Sequence, residues 1–263
     1  YNDALNPINV GIVDNGFDTK HEDLDLTVLN SEVNNAENHG THVAGVIGAT
    51  INNKVGISGI LSKKNLYCVD CYATPKQKKS NIAVSSLMDG IVTCLDNNCK
   101  VINMSSGIEF TSKDETAECA KESARYATIY LFAMLDSYAD FIIVQSAGNG
   151  NKADVGVDAH KYNGYFTSID DDIIQSVLEE FKNEEVVLNR DITAEDVRNA
   201  YIIVGAMDIK KKKNNWQLSK FSNYGNALTI SAPGGDVFST IVSGGIDGSY
   251  GNMDGTSMAA PIV

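Results

Sequence analysis

No long, uninterrupted hydrophobic run occurs in this sequence. The most apolar stretch, Ile129 to Val144, is broken by Asp136 and Asp140, whereas a membrane-spanning helix needs about 20 largely uncharged residues. A membrane span is therefore not expected. Positive charge is also short: 21 Lys and Arg stand against 34 Asp and Glu, a formal net charge of −13 with an isoelectric point near 4.6. A phosphate-binding surface would work against that global field, so nucleic acid is not an expected partner. The one basic run, Lys210 to Lys213, adjoins Asn214 and Asn215 and reads as a solvated loop. No basic segment followed by an apolar one opens the chain, so any signal peptide is expected to be gone already. Internal repeats and low-complexity tracts are missing. No GxGxxG fingerprint follows the first strand pattern, which makes a dinucleotide-binding domain a remote reading.

Cysteine is limited to Cys68, Cys71, Cys94, Cys99 and Cys119, an odd number that leaves at least one thiol unpaired. Cys68 and Cys71 have CxxC spacing but lie in the strand-like run Leu66 to Tyr72, where alternation sends the two sulfurs to opposite faces and argues against zinc or redox work. Cys94 and Cys99 bracket a helix-to-strand turn and are either a local disulfide or two free thiols.

What is present is enough apolar material, 43% of 263 residues, for one sizeable core. Short β-branched runs at Ile8 to Val13, Leu66 to Cys71, Lys100 to Met104, Phe141 to Val144 and Tyr201 to Val204 alternate with helical patterns. That order predicts an α/β fold with a doubly wound, mostly parallel sheet and helices on both faces. Leu87, Ile91 and Leu95 mark one helix, and Asp114 is a candidate cap for another, Glu115 to about Ala139. The stretch from about 151 to 200 is too long for a plain connection. Ile173, Ile174, Val177, Leu178 and Phe181 give it an amphipathic helix, and Thr193 with Asp196 a capping box, so it reads as a folded insertion.

In such sheets ligands bind beyond the carboxyl ends of the strands, and three segments there carry chemistry. The first strand ends in Asp14-Asn15-Gly16, a carboxylate that could hold an imidazole N–H or simply shape a turn. His39-Gly40-Thr41-His42-Val43-Ala44-Gly45 opens a helix of small residues whose first imidazole can project into a cleft, while His42 reads as a packed residue; no further ligand at helical spacing supports zinc. Gly255-Thr256-Ser257-Met258-Ala259-Ala260-Pro261 puts a hydroxyl at a helix N-terminus, where free N–H groups favour developing negative charge.

Together these segments resemble the subtilisin-like serine proteases, or subtilases, in which the chain order Asp, His, Ser is the family's own. The resemblance extends through most of the chain except the insertion and Ile108 to Tyr138. It implies a serine endopeptidase with Ser257 as nucleophile, His39 as general base and then acid, Asp14 as the group orienting His39, and Asn149 as the oxyanion-hole amide. It implies that Ser105, Ser106 and Gly107 pair with an extended protein or peptide substrate opposite Ala147 and Gly148. No cofactor is implied for catalysis. A structural Ca²⁺ is implied at Asp23 with Ile51, Asn53, Val55 and Ile57. The resemblance further implies an extracytoplasmic enzyme, a propeptide or inhibitor as additional partner, and a catalytic domain whose C-terminal part continues beyond Val263. The alternative is a subtilase-like binding domain without turnover.

Overall fold

The computed structural model describes residues 6–32, 34–72, 84–107, 113–150, 155–210, 215–245 and 248–263. In chain order the elements are β1 (Ile8–Asp14), β2 (Leu26–Val28), α1 (Asn38–Gly48), β3 (Lys64–Asp70), α2 (Val84–Asp96), β4 (Val101–Met104), α3 (Lys113–Ser137) and β5 (Ile142–Ser146). There follow α4 (Ala159–Tyr162), a 3-10 turn (Tyr165–Ser168), α5 (Asp171–Asn183), α6 (Ala194–Asn199), β6 (Tyr201–Lys210), β7 (Asn215–Leu218) and β8 (Ile230–Pro233). The last are β9 (Val237–Gly245), β10 (Gly248–Met253), α7 (Thr256–Ala259) and a 3-10 turn (Ala260–Ile262).

The main sheet has the order β2-β3-β1-β4-β5-β6-β7, with β8 also on β6, and β9 and β10 form a separate antiparallel pair. Among the described strands every pairing from β2 to β6 is parallel. This is the doubly wound sheet that the periodicity predicts. β1 is central, and Val10 to Asp14 are all buried, the continuous apolar run of a strand covered on both faces. One face carries α2 and α3, where Leu87, Ile91, Leu131 and Phe132 meet Val69, Ile102 and Ile143. The other carries α1 and α7, where Val43, Ile47 and Met258 meet Val10 and Ile12. Gly11 lets α2 press onto β1: a Cβ there would stand 2.7 Å from the Cys94 Cβ, closer than atoms tolerate.

The segment read as an insertion builds onto α3. Phe166, Ile173, Ile174, Val177, Ile192 and Val197 join the larger core cluster, Phe132 and Phe181 meet edge to face at 5.5 Å, and Arg125 pairs with Glu180. Asp170 caps α5 by accepting from Ile173 N at 2.8 Å, and Thr193 and Asp196 form the capping box of α6.

One local expectation changes. Helix α3 starts at Lys113, so Asp114 sits inside its first turn and not at the cap. Lys210 ends β6, which pairs antiparallel with β7 from Asn215; Lys211 to Asn214, and with them the rest of the basic run, lie outside the described residues. Cys94 and Cys99 are free thiols, as are the other three cysteines, and Cys68 and Cys71 pack in different core clusters on opposite faces of the sheet.

Candidate active site

Chain order reverses at β1. The later strands β3 and β4 lie on opposite sides of it, so the connections diverge and leave a crevice over the carboxyl ends of the strands. Three strand exits border it: β1 ends in Asp14, β4 runs into Ser105-Ser106-Gly107, and β5 runs through Ser146 into Ala147-Gly148-Asn149.

Helix α1 starts beside this edge and sets His39 over Asp14. Asp14 is 1% exposed, and its Oδ1 accepts from His39 Nδ1 at 2.6 Å and from Asn15 N at 2.7 Å. The close seat depends on glycine following His39, because a Cβ at Gly40 would stand 2.2 Å from the Asn15 carbonyl oxygen. The His39 side chain keeps 34% exposure, so with Nδ1 engaged its Nε2 is the nitrogen left for a reacting partner. Burial pulls the His39 pKa down, but the Asp14 charge and hydrogen bond outweigh it and leave the group above its ordinary 6.5. His42, one turn on, is fully buried; its Nε2 meets the Val237 carbonyl at 2.9 Å, and burial drops its pKa to about 4. It stays neutral at physiological pH, as a packing residue should.

Ser257 is the second residue of α7 and 8% exposed. Its Oγ donates to the Ser105 carbonyl at 3.2 Å. Ser105 Oγ in turn donates to the Ser257 carbonyl at 2.8 Å and accepts from Asn103 Nδ2 at 2.9 Å. The hydroxyl is thus tethered to the exit of β4 and not bonded to His39, although α1 and α7 pack together. A nucleophile–base bond that tightens only around substrate is common in unliganded enzymes. Asn149 is held by its oxygen: Oδ1 accepts from Thr256 N at 2.8 Å and Thr256 Oγ1 at 2.9 Å, while Thr256 Oγ1 accepts from Gly148 N at 3.0 Å. Its Nδ2 lies by Gly255, where a Cβ would stand 3.3 Å away, so the amide's N–H side faces the turn that carries Ser257.

The subtilase family model matches residues 6–263. The chain belongs to the subtilase family. It is 29% identical over 264 residues to the thermostable alkaline protease of Halalkalibacterium halodurans, covering 98% of this chain and 55% of that protein. With subtilisin E of Bacillus subtilis it shares 27% identity over 264 residues, 97% of this chain and 53% of that protein. The chain spans about half the length of these curated relatives. Among solved structures, fervidolysin from Fervidobacterium pennivorans, described as a keratinolytic enzyme related to subtilisin, shares the fold with a TM-score of 0.64. The match has 23% identity and covers 98% of this chain and 35% of that one.

The residues expected to hold Ca²⁺ come together around Asp23. Asp23 does meet the loop 51–57, but as an acceptor of N–H bonds. Asn53 Nδ2 donates to its Oδ1 at 2.6 Å and Ile57 N to its Oδ2 at 2.9 Å. Asn53 Oδ1 accepts from Val55 N at 3.0 Å, which fixes the amide with hydrogen toward the carboxylate. Ca²⁺ requires six to eight oxygens, and a bound ion would need Asn53 to turn its oxygen toward Asp23. Tyr250 closes the site with its hydroxyl 3.4 Å from Asp23 Oδ2; burial, then the Asp23 charge, push that phenol up to about 12. Asp23, Asn53, Val55 and Ile57 form a hydrogen-bonded clasp in which the loop's own donors satisfy a buried carboxylate. Asp23→Ala is expected to cost about 3 kcal/mol of stability through two stranded donors, read from a thermal melt. An unchanged melting temperature in Asp23→Ala would overturn this.

Several supporting residues escape sequence reasoning. Thr256 orients Asn149, Asn103 orients Ser105, and Asn223 donates Nδ2 to the Ala147 carbonyl at 2.8 Å and its backbone N–H to the Gly148 carbonyl at 2.9 Å. Asn223 lies in Phe221 to Gly225, a stretch that carries the resemblance, yet nothing in its spacing distinguishes a bracing amide from a turn residue.

Proposed function

We propose that this subtilase is a serine endopeptidase acting through an acyl-enzyme. The observation that carries the reading is the 2.6 Å bond from buried Asp14 to half-exposed His39, at the sheet edge where Ser257 is tethered. His39 Nε2 takes the Oγ proton as Ser257 attacks the scissile carbonyl, and Asp14 stabilises the imidazolium that forms. The oxyanion accepts from Asn149 Nδ2 and the Ser257 backbone N–H. On collapse the imidazolium protonates the departing amine, leaving an acyl ester on Ser257. Water then attacks that ester by the same proton path and releases the acid. The substrate main chain lies extended along Ser105 to Gly107, opposite Ala147 and Gly148, whose small side chains permit a strand to approach.

The presence of all three chemical groups favours this over a binding domain without turnover. No helix among the described residues is long and apolar enough to cross a membrane, and we place the enzyme, with its family, outside the cytoplasm. No cofactor enters the steps above, and a propeptide or inhibitor would occupy the same strand site as substrate.

Fluorophosphonate labelling tests the reading, since it requires an activated serine: one adduct on Ser257 is expected, and no adduct under conditions that label a known serine protease would refute it. The pH profile is a second check. Activity needs neutral His39, and its pKa is raised, so kcat/KM should fall with acid along a limb whose half-point lies above about 6.5. A half-point below that value would contradict the Asp14–His39 coupling.

A further inference from the structure

The space between the two substrate-facing walls is not empty. A Cβ built on Gly107 would stand 2.2 Å from Asn163 Oδ1, and one built on Gly148 would stand 2.5 Å from the same oxygen. One carboxamide therefore touches both glycines and spans the slot between the exits of β4 and β5. Asn163 is 3% exposed. Its Nδ2 donates to the Ser146 carbonyl at 3.1 Å, which locks the amide to the wall, while Oδ1 has no donor among the described residues. Behind it Gln145, fully buried, accepts from Phe166 N at 3.1 Å and reaches the Ser106 carbonyl at 3.4 Å. Among the described residues, polar groups and backbone thus close the bottom of the slot.

The side chain is delivered by the segment that departs from the family pattern. Asn163 caps the C-terminal end of α4 and bonds Ala159 O through its N–H at 3.0 Å. The next two residues turn sharply, with φ of 68° at Gly164 and 48° at Tyr165. Tyr165 holds a backbone conformation unusual for a bulky residue, anchored where its N–H meets Ser123 Oγ on α3 at 3.1 Å.

We propose that Asn163 is a specificity-determining residue: it floors the slot that receives the substrate side chain on the acyl side of the cleaved bond and restricts it to small residues. Serine is favoured among them, because its hydroxyl can donate to the otherwise unpartnered Oδ1. This rests on the peptidase reading above. A leucine or phenylalanine would have to displace the carboxamide and break its bond to Ser146, a penalty of the size that separates substrates by about tenfold or more.

The test is a panel of peptides identical except for Ser, Ala, Leu or Phe at that position. The parent chain should show kcat/KM for Ser and Ala at least about tenfold above Leu and Phe, and Asn163→Ala should shift the ratio toward the large residues by a similar factor. Asn163→Ser, which keeps a hydroxyl near Ser146, is read alongside in case the alanine variant melts out. The corresponding product acids are also titrated into Ser257→Ala by calorimetry, which reads the slot without chemistry. Tighter binding of the small-residue acids supports the proposal. Equal use of Leu and Phe by the parent, an unmoved profile in both Asn163 variants, or no discrimination in calorimetry overturns it. Undiminished hydrolysis by Ser257→Ala would instead defeat the nucleophile assignment, so the two failures are told apart.

Discussion

Ser257→Ala is expected to reduce peptide hydrolysis by about 10⁴-fold or more, because no other group can form the ester on which both half-reactions depend. The fold should hardly notice. The lost hydroxyl makes one hydrogen bond, to the Ser105 carbonyl, worth about 1 kcal/mol, and the Ser105 Oγ bond to the Ser257 backbone survives the change. The melting temperature should therefore fall by no more than about 4 °C. Initial rates on a peptide substrate together with a thermal melt decide the matter. Residual turnover within about tenfold of the parent would remove Ser257 from the mechanism, whereas loss of activity with loss of fold would show that the residue does structural work.

Asp14→Asn should be nearly as damaging, about 10⁴-fold in kcat, for a different reason. Asp14 can only accept, so it holds the His39 proton on Nδ1 and leaves Nε2 with a lone pair for the serine proton. An asparagine amide can donate instead, which allows the opposite tautomer with hydrogen on Nε2, useless as a base. The same change removes the two influences that raise the His39 pKa and leaves burial, which lowers it. The acid limb of any residual activity should accordingly move to lower pH than in the parent, and an NMR titration of His39 should move the same way. An unshifted His39 titration in Asp14→Asn would show that the carboxylate does not govern the imidazole.

How much of this was legible beforehand depends on how local each cause is. Strands such as Ile8 to Val13 and Tyr201 to Val204 announce themselves through short β-branched runs, and the α2 face through Leu87, Ile91 and Leu95; all three reflect hydrophobic periodicity over a few residues. The start of α3 was misplaced because an acidic residue in a first turn and an acidic cap look alike in sequence. The direction of the Asp23 contacts is hard to read in sequence for a related reason. Asp23 and Asn53 are oxygen-bearing residues at a familiar separation, but whether an amide turns its oxygen or its nitrogen toward a carboxylate is decided by a third group, here the Val55 N–H.

By itself the sequence determined the alternation of strands and helices, and so the placing of Asp14, Ser105 and Ala147 at strand exits and of His39 and Ser257 near helix starts. Those assignments follow from side-chain periodicity and turn chemistry within a dozen residues. Only the tertiary structure decided the rest: that Ser105 and Ser257, 152 positions apart, tether each other, and that Asp23 is clasped by N–H groups 30 and 34 positions away. It also decided that Asn163 stands between Gly107 and Gly148. Such contacts are set by how the helices seat on the sheet and by the direction of each hydrogen bond once water is excluded, and neither leaves a periodic trace along the chain.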